Sequence, residues 1–403
     1  MTTPTRCHRC GTRYREAGRR RCDCGEPVWY DIDVADFDWD DCTDADGMWR
    51  YAPILPVSEP RGLAAGAGGT PLLRSPRLDS VAGCRVFIKD EGEQPTGAYK
   101  DRGSAVAVSE WDETDAQAIG TVSYGNMAMS TAAHAASVGA DCVVLVPAET
   151  SAVRLSLIEQ YGPTVLRVSG DYGALYDDVL GLEDVPVEFY LSDPPARTSG
   201  YRTAVFEVYE QLRPDEPDAL ALPASSGGFA SGVYQGVRDL RTAGLIDDLP
   251  RLYLVQTAAA DPITRAFEGD DDEVGTLAPE EVGETIAHSI GNPAPPSGTV
   301  ALAAARETGG AVLSVSDDEI RRAQRQFATR AGVCVEPASA TTLAGVRRLS
   351  ERGDVGPEER VVLLPTGTGF KEAGTGETLD PDSVEAVERT DVPSRLATLF
   401  EAE

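Results

Sequence analysis

Short, continuously apolar runs separated by helix-length stretches are the feature that most narrows what this chain can fold into. Arg85–Lys89 (RVFIK), Ala118–Val122 (AIGTV), Cys142–Val146 (CVVLV), Val165–Val168, Ala219–Leu222, Leu252–Val255, Val312–Val315 and Val361–Leu364 (VVLL) are strand-length runs, most of them rich in Val, Ile and Leu. A strand that is apolar on both faces must be covered on both faces, and a helix-length connection returns the chain to begin the next strand in parallel. The pattern predicts an α/β protein built on parallel, twisted sheets. With 403 residues, the chain exceeds the ~250 to 300 residues at which single cores stop growing, so two lobes and an appendage are expected. The expected division is 1–30 for a small cysteine-bearing segment, 31–69 for an acidic and glycine-rich linker, 70–108 with 206–380 for a larger lobe, 109–205 for a smaller lobe, and 381–403 for a C-terminal tail. Glu268–Glu281, rich in Asp, Glu and Gly, reads as a surface excursion.

The appendage holds Cys7-x-x-Cys10 and Cys22-x-Cys24, each pair followed by a glycine, Gly11 or Gly25, that permits a tight turn. Four thiolates at this spacing can close a tetrahedral zinc site with no open position, hence a structural one; a redox dithiol and a metal-free loop are the other readings. Seven arginines (Arg6, Arg9, Arg13, Arg15, Arg19, Arg20, Arg21) decorate this zinc-ribbon-like segment, and eight aspartates follow between Asp31 and Asp46. Such a basic ribbon suits docking on acidic surface nearby; a nucleic-acid-binding ribbon is the competing reading.

The charge of the whole weighs against that competitor. Acidic residues number 66 against 36 basic ones, a net charge of −30, and the only lysines are Lys89, Lys100 and Lys371. Duplex nucleic acid and anionic membranes are repelled by such a body. An excess of carboxylates with lysine removed suits a cytoplasm at very high salt, where a hydrated, charged surface keeps protein soluble; an acidic protein of ordinary salt is the alternative. The amino terminus has no charged-then-apolar secretory pattern and no run of 18 apolar residues occurs, so a soluble, cytoplasmic protein is expected. Cys42, Cys84, Cys142 and Cys334 then read as core thiols of a reducing compartment. A homodimer is left open.

In open parallel sheets ligands sit at the carboxyl ends of strands, and four strand-to-helix junctions here are rich in glycine and polar residues. The first, Ile88–Gly103 (IKDEGEQPTGAYKDRG), brings Lys100 close to the start of a helix expected over Ser104–Val108. The positive end of a helix dipole lowers an amine's pKa and favours the neutral form that attacks an aldehyde. The second, Val122-Ser-Tyr-Gly-Asn126, offers an amide to a ligand hydroxyl or caps the helix that follows. The third, Leu222–Gly232 (LPASSGGFASG), can converge backbone N–H groups on a phosphate. In the fourth, Leu364–Lys371 (LPTGTGFK), Thr366 can meet a ring nitrogen or satisfy its own turn.

In this order and at these separations the four segments resemble the fold type II pyridoxal 5'-phosphate (PLP) enzymes, most closely the threonine synthases, over Thr70–Glu372. The family's lysine motif, NPTGSFKDRG, appears as Gln94–Gly103 (QPTGAYKDRG). Val335–Gly345 (VEPASATTLAG) and Pro195–Thr203 (PARTSGYRT) also match, the latter resembling the family's proline-tyrosine-arginine segment, and an amino-terminal cysteine ribbon recurs in the family.

The resemblance implies a two-lobed fold type II enzyme in which Lys100 carries PLP as a Schiff base. It further implies that Asn126 bonds the ring hydroxyl, that Ser225, Ser226, Gly227, Gly228 and Phe229 cradle the phosphate, and that Thr366 faces the pyridine nitrogen. The reaction implied is conversion of O-phospho-L-homoserine and water to L-threonine and phosphate, with Lys100 moving protons at the alpha and beta carbons. Arg197 and Arg202, helped by Thr96 and Ser123, are the implied substrate contacts, interlobe ion pairing being the alternative for both arginines. The chain departs from the family at Tyr124, Met127, Tyr201, Ser225 and Phe229. Those departures keep open a sibling PLP lyase or beta-replacement enzyme acting on serine-, threonine- or cysteine-like substrates, and a non-catalytic PLP-binding paralogue.

Overall fold

Three sheets organise the computed structural model, which describes residues 3–15, 19–111, 116–170, 172–182, 185–372 and 385–399. β1 (Thr5–Cys7), β2 (Arg13–Tyr14) and β3 (Val28–Tyr30) form a small antiparallel sheet in the order β2-β1-β3. The remaining strands are β4 (Leu72–Arg74), β5 (Arg85–Lys89), β6 (Ala118–Val122), β7 (Asp141–Pro147), β8 (Thr164–Val168), β9 (Val187–Phe189), β10 (Ala219–Pro223), β11 (Arg251–Thr257), β12 (Ala311–Val315) and β13 (Arg360–Leu363). They divide into a six-stranded sheet, β12-β11-β10-β13-β5-β4, and a four-stranded sheet, β8-β7-β6-β9.

Within these two sheets every pairing is parallel except β4 with β5. The expectation of purely parallel sheets is therefore corrected at one edge. Only Ser75–Cys84 lies between β4 and β5, shorter than the dozen or so residues that a parallel crossover needs.

Outside the exposed edge strand β8, the continuous apolar character of the strands follows from burial on both faces. Leu220, Leu222, Leu252, Leu254 and Val362 join one core, while Ala219, Ala221, Tyr253, Val255, Val361 and Leu363 join the other. The four-stranded sheet is likewise packed by Ile119, Cys142, Val144 and Val146 on one face and by Val122, Leu145 and Phe189 on the other.

The helix Pro195–Leu212 packs against both Lys100–Glu110 and Gly228–Thr242. Glycines set their separation: a Cβ on Gly200 would stand 2.1 Å from the Arg102 carbonyl oxygen, and one on Gly236 would stand 2.8 Å from that of Arg202. A buried ionic network pins Lys100–Glu110 to Pro195–Leu212. Arg102 donates to Glu91 and Glu207, and Lys89 Nζ donates to Glu207 Oε2 at 2.6 Å.

Glu268–Glu281 is an exposed excursion at most of its positions. The expected tail 381–403 is described only over 385–399, where Val392–Leu399 is helical; 373–384 and 400–403 lie outside the described residues. No helix among the described residues is long and apolar enough to cross a membrane.

Candidate active site

β5, β13 and β10 are neighbours in the larger sheet, and the loops leaving their carboxyl ends carry Lys100, Thr366 and Ser225–Phe229. The loop after β6 of the smaller sheet carries Asn126. Hydrogen bonds and ring contacts then draw all four loops together. Tyr99 N–H donates to the Thr366 carbonyl at 2.9 Å, joining the first loop to the fourth. Asn126 Nδ2 donates to Glu336 Oε2 at 2.9 Å, and Lys371 Nζ donates to Asn126 Oδ1 at 2.7 Å, joining the second to the fourth. The Phe229 and Tyr99 rings, 4.2 Å apart, join the third to the first.

Lys100 opens its helix rather than preceding it, a difference from the expected start at Ser104. The turn that extends the helix is held by Asp101, which accepts from Thr96 N–H at 2.6 Å and from the Thr96 hydroxyl at 2.7 Å. Lys100 Nζ lies 4.5 Å from the centre of the Tyr99 ring and 5.8 Å from that of Tyr201. Burial, then the positive charge of Arg197, pushes this amine down to about 7. Among the described residues it makes no hydrogen bond or ion pair, so it stands as a poised nucleophile.

Thr366 is buried, its N–H donating to Ser339 Oγ at 2.9 Å and its hydroxyl lying 3.2 Å from the same oxygen. Gly227 turns the third loop in the left-handed region at φ 85°, where a Cβ would collide with the Ser297 carbonyl oxygen at 2.2 Å. A Cβ on Gly228 would stand 2.6 Å from that of Ser192. Among the described residues the N–H groups of Ser225, Ser226 and Gly227 donate to no protein acceptor. Unsatisfied donors at the start of the helix Gly228–Thr242 are what a phosphate needs. An aldehyde-bearing, phosphorylated cofactor therefore fits the residues present.

The substrate candidates are placed less uniformly. Ser123 Oγ accepts from Gly125 N–H at 3.3 Å within the second loop. Arg197 is fully buried, with Nη1 donating to Ser104 Oγ at 2.8 Å and Nη2 to Thr131 Oγ1 at 2.7 Å. Arg202 is not brought to the loops. Its Nη1 donates to Asp239 Oδ2 at 2.8 Å, near the far end of the helix Gly228–Thr242, about three turns from the glycine-rich loop.

The sequence alone gives Ser339 and Asp193 no individual role, and it marks Glu336 only within the Val335–Gly345 match and Lys371 only at the end of the fourth junction. Glu336 carried the one usable signal: a carboxylate immediately before Pro337, the first residue of a helix. Tyr201 and Phe229, noted separately as departures, form one aromatic group with Tyr99, at ring separations of 5.0 and 5.9 Å from Tyr201.

In the ribbon the four sulfurs of Cys7, Cys10, Cys22 and Cys24 all lie within 4.8 Å of one another. Cys7 to Cys24 is 3.6 Å, Cys10 to Cys22 is 3.4 Å and Cys10 to Cys24 is 3.9 Å. A tetrahedral zinc with bonds of about 2.3 Å spaces its sulfurs about 3.8 Å apart, which these separations fit.

A half-buried lysine where four strand-end loops meet, one of them rich in glycine, defines a class of PLP-binding enzyme. The model of the family described as pyridoxal-phosphate dependent enzyme matches residues 63–367, and the chain belongs to that family. It is 34% identical over 354 residues to the threonine synthase of Methanocaldococcus jannaschii, covering 87% of this chain and 84% of that one. It is also 34% identical over 382 residues to that of Methanosarcina acetivorans, covering 92% of both. Within the wider class, the chain belongs to the threonine synthase family. A solved structure of maize serine racemase, 21% identical, shares the fold at a TM-score of 0.64 over 82% of this chain and 92% of that one.

Proposed function

We propose that this chain converts O-phospho-L-homoserine and water to L-threonine and phosphate, with PLP held on Lys100. The observation that carries the reading is the convergence of four strand-end loops on an amine pushed down to about 7. Asn126 would meet the cofactor's ring hydroxyl, Thr366 its ring nitrogen, and the N–H groups of Ser225–Phe229 its phosphate. When bound, the cofactor supplies an electron sink that stabilises negative charge at the substrate's alpha carbon. Lys100, freed by exchange with the substrate amine, takes the proton from the alpha carbon and moves protons at the beta carbon. Phosphate leaves from the gamma carbon, and water adds at the beta carbon. Arg197 sets a positive field beside Lys100 that suits a phosphorylated substrate. Thr96 shapes the loop through Asp101, and Arg202, engaged with Asp239, braces helices rather than substrate.

The reading is tested on the purified protein supplied with PLP in molar salt. Release of phosphate together with threonine from O-phosphohomoserine is expected. Formation of 2-oxobutanoate from threonine, with no phosphate released, would replace it with the sibling lyase chemistry that the substitutions at Tyr124, Met127, Tyr201 and Phe229 keep in view. Cofactor bound without turnover of any of these substrates would point to a non-catalytic paralogue.

The coarser layout is part of the same reading. Among the described residues, those of 70–108 and 206–380 form a larger lobe and those of 109–205 a smaller one, supported by the segregation of β4, β5 and β10–β13 from β6–β9. Cys7, Cys10, Cys22 and Cys24 hold a structural zinc, supported by the sulfur spacing. Metal analysis of Cys7→Ser and Cys22→Ser is the check: zinc content unchanged from the parent protein removes that support. A salty cytoplasm is the proposed setting, in keeping with the acidic composition and with eight cysteines of which none forms a disulfide.

A further inference from the structure

The cysteine ribbon does not hang free. Arg20 Nη2 pairs with Glu188 of β9 at 3.0 Å, and Arg9 Nη1 pairs with Glu273 of the excursion at 3.1 Å. Trp29 Nε1 donates to Ser231 Oγ at 2.9 Å, on the helix that begins directly after the glycine-rich loop. The ribbon thus touches elements tied to both large sheets. Exposed pairs such as Arg9 with Glu273 contribute little. Arg21 is of a different kind.

We infer that Arg21 is a positioning residue for the glycine-rich loop, clamping together the two segments between which Ser226–Gly228 is held. Its Nη2 bonds Asp193 Oδ2 at 2.5 Å, and its Nη1 donates to the Pro296 carbonyl at 2.8 Å. Asp193 also accepts from the Ser297 hydroxyl, and Ser297 N–H donates to the Ser226 carbonyl at 2.8 Å. On one side of the loop stands the Ser297 carbonyl, which forbids a Cβ on Gly227; on the other stand Ser192 and Asp193, which crowd Gly228. One guanidinium therefore ties 192–193 to 296–297 across the loop. The Asp193 side chain is 5% exposed and Ser297 is fully buried, so the carboxylate depends on its charged partner far more than a surface pair would. Arginine's fixed fork reaches both acceptors at once, which a single ammonium does not.

This inference rests on the reading that Ser225–Phe229 receives the cofactor phosphate. The experiment uses the full zinc-loaded chain, stripped of cofactor and titrated with PLP by visible absorbance. Hydrogen exchange of the peptide spanning Ser225–Phe229 is followed in parallel without cofactor. Arg21→Ala is expected to weaken PLP binding by about tenfold, the scale of one lost charge-assisted hydrogen bond, and to speed exchange in that peptide while zinc content holds. Arg21→Lys should restore only part of the loss. Asp193→Asn should weaken binding similarly, and the double variant should be no worse than either single one. Arg9→Ala should leave both readouts unchanged. Unchanged binding and exchange in Arg21→Ala, or an equal loss in Arg9→Ala, overturns the inference. Should Arg21→Ala shed zinc, Asp193→Asn decides, because it leaves the ribbon intact: additivity or no loss there counts against the clamp. Gly227→Ala separates the two readings. If it binds PLP normally while Arg21→Ala still speeds exchange, the phosphate cradle is wrong and the clamp stands.

Discussion

Lys100 joins two properties that oppose each other in most lysines, burial and reactivity. Burial and the neighbouring Arg197 charge push the amine from its usual 10.5 down to about 7. In the cofactor-free protein, an amine-directed reagent should therefore modify Lys100 with a rate that rises to half its maximum near pH 7. Arg197→Met, by removing positive charge, should move that midpoint upward; peptide mapping of labelled protein across pH measures both. The stability consequence has a definite sign. Between about pH 7 and 10.5 the unfolded chain holds a proton that the folded chain has lost, so this residue makes the cofactor-free protein more stable as pH rises through that window. Lys100→Ala should abolish the visible absorbance of bound PLP. Its persistence would move the cofactor to Lys89 or Lys371. Lys89 is an unpromising substitute, since its amine is fully buried and committed to Glu207. Lys100, Asn126 and Thr366 were legible because each follows a recognisable strand. Glu336 and Asp193 were not, because what they do depends on partners far along the chain, 210 residues away for Asn126 and Glu336.

At the scale of elements, the helix that presents Lys100 is located by close packing and by charge. Gly200 lets the helix Pro195–Leu212 approach the Arg102 carbonyl, so Gly200→Ala forces backbone apart and should destabilise the protein by about 1 to 3 kcal/mol in a denaturant titration. Glu207 joins Lys89 of β5 to Arg102 of the Lys100 helix, and despite burial these cations hold its carboxyl down at about 2. Glu207→Gln leaves buried positive charge short of its partner and should cost about 3 to 5 kcal/mol. For the parent protein the sign is that of a depressed carboxylate: its stabilisation is present above about pH 4.5 and fades as pH falls toward 2. The eight strands read from apolar runs all appear; seven owe their continuous apolar signature to burial within the sheets, whereas β8 is an edge strand with Leu166 half exposed. β4 and β9, three residues each, and the three short ribbon strands carry too few residues to show a period. Ion-pair geometry such as Arg202 with Asp239 escapes the sequence for a different reason: only helix packing decides which of two nearby arginines bears electrostatically on Lys100 and which pairs with a carboxylate.

For the whole molecule the governing quantity is the net charge of −30. Ion pairs such as Arg347 with Glu351 and Arg265 with Glu281 are favourable but exposed, worth about 0 to 1 kcal/mol each, and salt weakens them. Repulsion among the excess carboxylates is also screened, and it acts on every one of them. Since 66 acidic residues face only 36 basic ones, loss of repulsion should outweigh loss of pairing, and the folded state should gain from salt. The Debye length falls from about 10 Å at 0.1 M to about 3 Å at 1 M, so simple screening is nearly spent by 1 M. A melting temperature that climbs by several degrees between 0.1 and 1 M KCl and then levels would identify relief of repulsion as the whole effect. A continued climb between 1 and 3 M would require a further contribution from hydration of the carboxylate surface, which is what a protein suited to a very salty cytoplasm should display. A melting temperature that falls over the first interval would mean that surface pairing dominates, and the high-salt reading of the composition would then fail.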